Sequence, residues 1–228
     1  LHYYLSIIRC AEFFHKKVFI YSQGIGPIDR PGNRRAAAAA LKRADGIVVR
    51  DERSASLLEE IGIARDKVVI TADPVIRMKK PDGDVGAEIL RKAGVSLDGR
   101  LTVGWAIRER DTDSRFVKEL LRSIQMMKDK YNAQSVLIPF HYEEDGEVCR
   151  HIAAQLPDDT AVCLNEKYLS EDMLSIIGNM DLLVGVRLHS LIYAAIMGVP
   201  LIGISYDPKC TAFLNSVGLD KLSTKENF

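Results

Sequence analysis

Short runs of Val, Ile and Leu recur along the chain, each followed by a polar or glycine residue and then by a longer amphipathic stretch. A strand that is apolar on both faces belongs in a parallel sheet, and parallel strands need helical crossovers between them. The alternation therefore selects an α/β architecture, with parallel sheets and helices on both faces. The strands expected are Val18–Tyr21, Ile47–Val49, Val68–Ile70, Leu101–Ile107, Ser135–Phe140, Ala161–Leu164, Leu182–Val186 and Pro200–Ser205. Between them, Asn33–Arg43, Ser54–Ile61, Phe116–Tyr131, Gly146–Leu156, Ser170–Met180, Leu188–Met197 and Thr211–Val217 read as helices. Tyr3–His15 is expected to be helical, with Tyr4, Ile7, Ile8, Ala11 and Phe14 on its packing face. Ser170 reads as the N-cap of its helix.

The alternation is interrupted once, at the polar, breaker-rich stretch RMKKPDGDVG from Arg77 to Gly86. We read this as a linker between two Rossmann-like domains, residues 1–80 and 81–228. The chain opens on Leu1, within an amphipathic segment, so the first domain is expected to lack an upstream portion. Lys plus Arg and Asp plus Glu both number 31, so net charge offers no case for nucleic acid or an anionic membrane. Cys10, Cys149, Cys163 and Cys210 form no C-x-x-C pair and have no His at zinc-ligand spacing. They read as buried thiols in a reducing compartment, with no metal. No stretch reads as a signal peptide. The most apolar one, Leu182–Ser205, is interrupted by Arg187, His189 and Pro200, which a spanning helix would not carry. A cytoplasmic location is expected.

Ligands of open α/β sheets bind outside the carboxyl ends of the strands. The polar residues at those positions are Gln23 and Gly24, Arg50 and Asp51, Asp73, Arg108, His141, Arg187 and His189, and Asp207 with Lys209. The cations among them suggest an anionic ligand, although loops are polar in any case and some of these residues would only cap helices or pair. Gly185-Val-Arg-Leu-His-Ser190 is the sharpest segment, joining a buried strand to a buried helix. A helix start offers N–H groups to an anion, Arg187 can grip a carboxylate or phosphate, and His189 can donate or accept a proton. The competing reading makes His189 a structural cap. Lys209, in Tyr206-Asp-Pro-Lys209, can add a point charge for a phosphate, or the segment is a solvated turn capped by Asp207. Gln23–Pro27 is a glycine turn without the full G-x-G-x-x-G pattern. Neither a P-loop nor a G-x-S-x-G motif occurs. Trp105 is either core or a sugar platform.

Taken in order, Tyr21-Ser-Gln-Gly-Ile-Gly-Pro27, Val49-Arg-Asp-Glu-Arg-Ser54, Asp73-Pro74, Gly185-Val-Arg-Leu-His-Ser-Leu-Ile-Tyr-Ala-Ala195, Gly198-Val-Pro200 and Gly203-Ile-Ser-Tyr-Asp-Pro-Lys209 resemble the polysaccharide pyruvyl transferases of the CsaB type. The resemblance implies a GT-B-like pair of Rossmann domains with the active site in the cleft between them. It implies transfer of the pyruvyl group of phosphoenolpyruvate onto two hydroxyls of one sugar, with a cyclic ketal formed and phosphate released. The acceptor it implies is N-acetylmannosamine in a lipid-linked cell-wall polysaccharide precursor, which would bring the protein to the membrane surface through its acceptor. No cofactor and no metal are expected. Arg187, His189 and Lys209 take the catalytic positions of the family's R-L-H and Y-D-P-K segments. Arg50, Arg108, Gln23, Gly24, Ser190 and His141 are the expected substrate-binding residues. The runner-up is a glycosyltransferase of the same architecture with a nucleotide-sugar donor. A non-catalytic glycan-binding module is the third reading, and it would not need Arg187, His189 and Lys209 to converge.

Overall fold

The computed structural model describes residues 1–81, 83–108, 114–204 and 207–219. The chain divides into two units, Leu1–Ile76 and Arg77–Phe228, each with its own sheet. In the first unit α1 (His2–Phe13) leads into β1 (Phe19–Gln23), α2 (Pro31–Leu41), β2 (Gly46–Val49), α3 (Glu52–Glu60) and β3 (Val68–Ile70). The strands are parallel in the order β1-β2-β3. Both crossovers step the same way, so right-handed connections carry α2 and α3 to one face. There Leu5, Ile8, Ala37, Leu41, Ala55 and Leu58 share a core with Ile47, Val49 and Val68. Phe19, Tyr21 and Val69, on the alternate strand positions, are exposed.

The face of α1 differs from the one its periodicity suggests. Leu5 and Ile8 are buried, whereas Tyr4, Ile7 and Phe14 are exposed. The helix is apolar around much of its circumference, so spacing alone does not choose a face and docking on α2 does. The four thiols also divide: Cys149 and Cys210 are buried, Cys163 is half-buried and Cys10 is exposed. A hydrogen bond to Cys163 together with burial pushes the Cys149 thiol up.

The second unit runs α4 (Val85–Lys92), β4 (Thr102–Ala106), α5 (Ser114–Tyr131), β5 (Gln134–Leu137), α6 (Tyr142–Ala153), β6 (Ala161–Cys163), α7 (Ser170–Gly178), β7 (Leu182–Gly185), α8 (Leu188–Met197), β8 (Leu201–Gly203) and α9 (Pro208–Ser216). All five strands are parallel, in the order β6-β5-β4-β7-β8. The chain steps outward from β4 to β6, returns to β7 beside β4, and steps the other way to β8. The reversal puts α5 and α6 on one face and α8 on the other. Phe116, Leu120, Ile124, Val148 and Ile152 pack with Val103, Trp105, Leu137 and Val184 on the first of these. Trp105 is core: it is buried, and its Nε1 donates to Ser135 Oγ at 2.9 Å.

Two local features depart from the sequence reading. The end of the linker, Val85–Gly86, is the start of α4, capped by Asp84, whose carboxylate accepts the Ala87 N–H at 3.2 Å. The N-cap of α7 is Leu169, with Ser170 as the first helical residue and no side-chain cap. Gly86 explains why α4 stays in place. Its N–H donates to Ser175 Oγ at 2.8 Å, and a Cβ there would meet the Ser175 carbonyl and lie 2.6 Å from the Ile176 nitrogen. Backbone atoms cannot step aside as a flexible side chain would. Gly86→Ala is therefore expected to destabilise the second unit by about 1–3 kcal/mol, the usual cost of overpacking. A thermal melt of the variant against the parent checks it, and an unchanged midpoint would show that α4 slides freely on α7.

Candidate functional site

At the carboxyl edge of the first sheet, the ends of β1, β2 and β3 are tied together by one side chain. Arg50 leaves β2 and donates through Nη1 to Asp73 Oδ2 beyond β3 at 2.7 Å, while its Nε lies 3.6 Å from Asp51. Its guanidinium packs against Gly24, where a Cβ would be 2.6 Å from Nε. A side chain at position 24 would have to displace that guanidinium from where it stands. Asp51 caps α3 by accepting the Ser54 N–H at 2.7 Å, and Ser54 Oγ accepts the Ile25 N–H at 2.9 Å. The glycine turn is held on the start of α3 in this way. Gln23 is exposed, with its Nε2 donating to the Tyr21 carbonyl at 3.1 Å. Arg50, expected among the substrate-binding residues, is a strut between strand ends in this arrangement.

The second sheet gathers more chemistry. Arg108 follows β4, His141 follows β5, Arg187 and His189 follow β7, and Lys209 follows β8. Parallel pairing puts all five at one edge of the sheet, and β4 and β7 flank the switch point where ligands of such sheets bind. Arg187 is the N-cap of α8, so His189 stands in its first turn and is exposed. Lys209 is also exposed, in the first turn of α9, where its N–H donates to Asp207 Oδ1 at 2.9 Å. Cys210 Sγ donates to the Val186 carbonyl at 3.6 Å, tying the start of α9 to the turn that carries Arg187. Tyr206 lies outside the described residues.

Two expectations change in detail. Ser190, expected to touch substrate, is completely buried, and its hydroxyl donates to the Arg187 carbonyl at 2.7 Å. It braces the turn from within, and Gly185 leaves it room, since a Cβ there would collide with Ser190 Oγ. Arg187 is not an open clamp. Its Nε donates to Asp145 Oδ2 at 3.1 Å and its Nη2 to Asp145 Oδ1, while Glu144 Oε2 lies 3.6 Å away. His141 is the N-cap of α6, about half exposed, with Nδ1 3.6 Å from Glu144. The edge is therefore less cationic than its list of bases suggests. The first turn of α6 carries Glu143, Glu144 and Asp145, where the helix dipole favours carboxylates. The Lys167 ammonium, hydrogen-bonded to Glu143, holds that carboxyl below the usual range. Among the described residues, no group of three His, Cys, Asp or Glu side chains is arranged to hold a metal, and no helix is long and apolar enough to cross a membrane.

Asp145 escapes a motif-based reading, yet a signal exists. Asp145, Val148, Cys149 and Ile152 share the helical period of the buried face of α6. An acid on an apolar stripe implies a buried partner.

A family model described as polysaccharide pyruvyl transferase matches residues 1–208. The amylovoran biosynthesis protein AmsJ of Erwinia amylovora is 21% identical over 231 residues, an alignment covering 94% of this chain and 55% of that protein. The chain thus spans about half the length of the curated relative it matches. Among solved structures, a UDP-N-acetylglucosamine 2-epimerase described as putative, from Listeria monocytogenes, matches with a TM-score of 0.69 at 16% identity, over 98% of this chain and 60% of that one. The UDP-GlcNAc 2-epimerase of Methanocaldococcus jannaschii gives 0.68 at 14%, over 94% and 61%. HepE of Anabaena, solved with UDP-glucose, gives 0.59 at 12%, over 88% and 57%. At such identities the likeness is one of fold, the GT-B type.

Ser190→Ala is expected to lower stability by about 1 kcal/mol, the scale of one internal hydrogen bond. Ligand affinity per folded molecule is expected to stay the same. A melting curve and a binding titration on one preparation check this, and lost affinity at an unchanged midpoint would return Ser190 to the substrate-contacting set.

Proposed function

This chain belongs to the polysaccharide pyruvyl transferase family, and on that premise we propose that it transfers the pyruvyl group of phosphoenolpyruvate onto two hydroxyls of one sugar, forming a cyclic ketal and releasing phosphate. The acceptor on this reading is N-acetylmannosamine of a cell-wall polysaccharide precursor. A lipid-linked precursor would bring the protein to the cytoplasmic face of a membrane. The observation that carries the reading is the joint position of Arg108, Arg187, His189 and Lys209 at the carboxyl edge of β4, β7 and β8.

The donor carries a carboxylate and a phosphate. Arg187, Lys209 and the start of α8 supply charge and N–H groups for two such anions, with Arg108 at the end of β4, on the other side of β7 from β8. Fixed cations of this kind orient the donor and stabilise the departing phosphate. A proton goes to the methylene carbon of the enol, and the positive charge that develops on the neighbouring carbon is captured by a sugar hydroxyl, which loses its proton. The bond from that carbon to the phosphate oxygen then breaks, and the second hydroxyl adds and loses its proton in turn. One proton is consumed at carbon and two are released by the hydroxyls, one of which the leaving phosphate takes. Imidazole is the side-chain type suited to both directions of transfer, and exposed His189 is the group for these steps.

Phosphate release from phosphoenolpyruvate is expected only when an N-acetylmannosamine-containing acceptor is present. Release of nucleoside diphosphate from a nucleotide sugar, with phosphoenolpyruvate untouched, would favour the glycosyltransferase reading instead. His189→Ala is expected to lower turnover roughly 10²–10⁴-fold while leaving donor affinity nearly intact. A folded His189→Ala protein with near-normal turnover would remove this residue from the mechanism.

A further inference from the structure

Asp145 is charged by nature yet 0% exposed, at the start of a helix whose other first-turn acids, Glu143 and Glu144, face solvent. Burying a carboxylate costs far more than a surface position does unless the charge is paired and its lone pairs are used. Both conditions hold. Oδ2 accepts the His141 backbone N–H at 2.9 Å and Arg187 Nε at 3.1 Å, and Oδ1 accepts from Arg187 Nη2. The first bond closes the start of α6 in the manner of a capping box, a side chain reaching back to the N-cap N–H. The other two form a bidentate fork, which fixes the plane of a guanidinium as a single contact cannot.

Topology gives this fork its significance. Asp145 stands after β5 and Arg187 after β7, and β4 lies between those strands. The pair therefore bridges the switch point over the end of β4, where Arg108 leaves the sheet. With Nε and Nη2 engaged, Nη1 lies outside the fork. We infer that Asp145 is the positioning residue of Arg187, holding its guanidinium across the end of β4 so that the Nη1 edge is what an incoming phosphate or carboxylate meets. This rests on the reading of Arg187 as an anion-binding residue. Asp145 itself touches no substrate.

The test combines a readout that needs no ligand with one that does. In the parent protein the Arg187 Nε–H, assigned by its loss in Arg187→Lys, is expected to exchange with solvent slowly in nitrogen-15 NMR. In Asp145→Asn, which keeps size and one acceptor oxygen, it is expected to exchange as fast as the exposed arginines. Affinity for inorganic phosphate and for phosphoenolpyruvate is expected to fall roughly 10-fold or more in Asp145→Asn, the scale seen when the hydrogen-bond partner of a metal-ligating side chain is removed. The same loss is expected in Arg187→Gln, with no further loss in the double variant, because one residue acts through the other. Additive losses, or lower melting temperature with unchanged affinity and exchange, would reduce Asp145 to a structural brace. Should Asp145→Asn not fold, a fast-exchanging Arg187 Nε–H in the parent overturns the inference by itself, and a slow one upholds it. A parent that binds neither anion, with the Nε–H protected, would refute the donor reading and leave the Asp145–Arg187 fork standing.

Discussion

Parallel pairing of β5, β4 and β7 is the constraint on which the candidate site depends. Parallel strands deliver every outgoing turn to the same edge, and right-handed crossovers decide which helix start meets which strand end. Because the chain reverses direction between β4 and β7, the turns after those strands lead to opposite faces and leave a gap at the edge. Side chains more than forty residues apart in sequence, such as Asp145 and Arg187, meet there without any local motif bringing them together.

The electrostatics of that edge follow from competition between two demands. The anionic donor of the proposed reaction would call for cations, whereas the N-terminus of α6 attracts carboxylates through its dipole. One of the three acids turns inward onto Arg187, and Glu143 pairs with Lys167. Charge at the site is set by the orientation of particular groups, and a zero net charge for the chain says nothing about it. In the first unit likewise Arg50, a base at a strand end, is paired with Asp73 and packs against Gly24.

The periodicity of the strands and the turn residues after them were legible because each is a local property. Runs such as Ile47–Val49 and Leu182–Val186 announce themselves by composition, and Gly185–Ser190 by its polar residues between two apolar blocks. Faces and caps were less legible. α1 is apolar on several sides, so its buried side was set by contact with α2, and α4 begins at the end of a polar stretch and shows its buried face only where it packs on α7. The character of Trp105 needed Ser135 from the neighbouring strand.

The sequence by itself determined the class of fold, the alternation of strand and helix, and the identity of the residues at the strand ends, since these depend on spacing and residue type within a few positions. It also carried the family resemblance, which is spread in order along the chain. Only the tertiary structure decided that Ser190 is buried, that Arg50 and Arg187 are held by carboxylates, and that Asp145 is the acid buried against Arg187. The physical reason is that burial and pairing are properties of groups brought together across a sheet. In the chain as written, the helical period sets Asp145 on the buried stripe of α6, and nothing local names Arg187 as its partner.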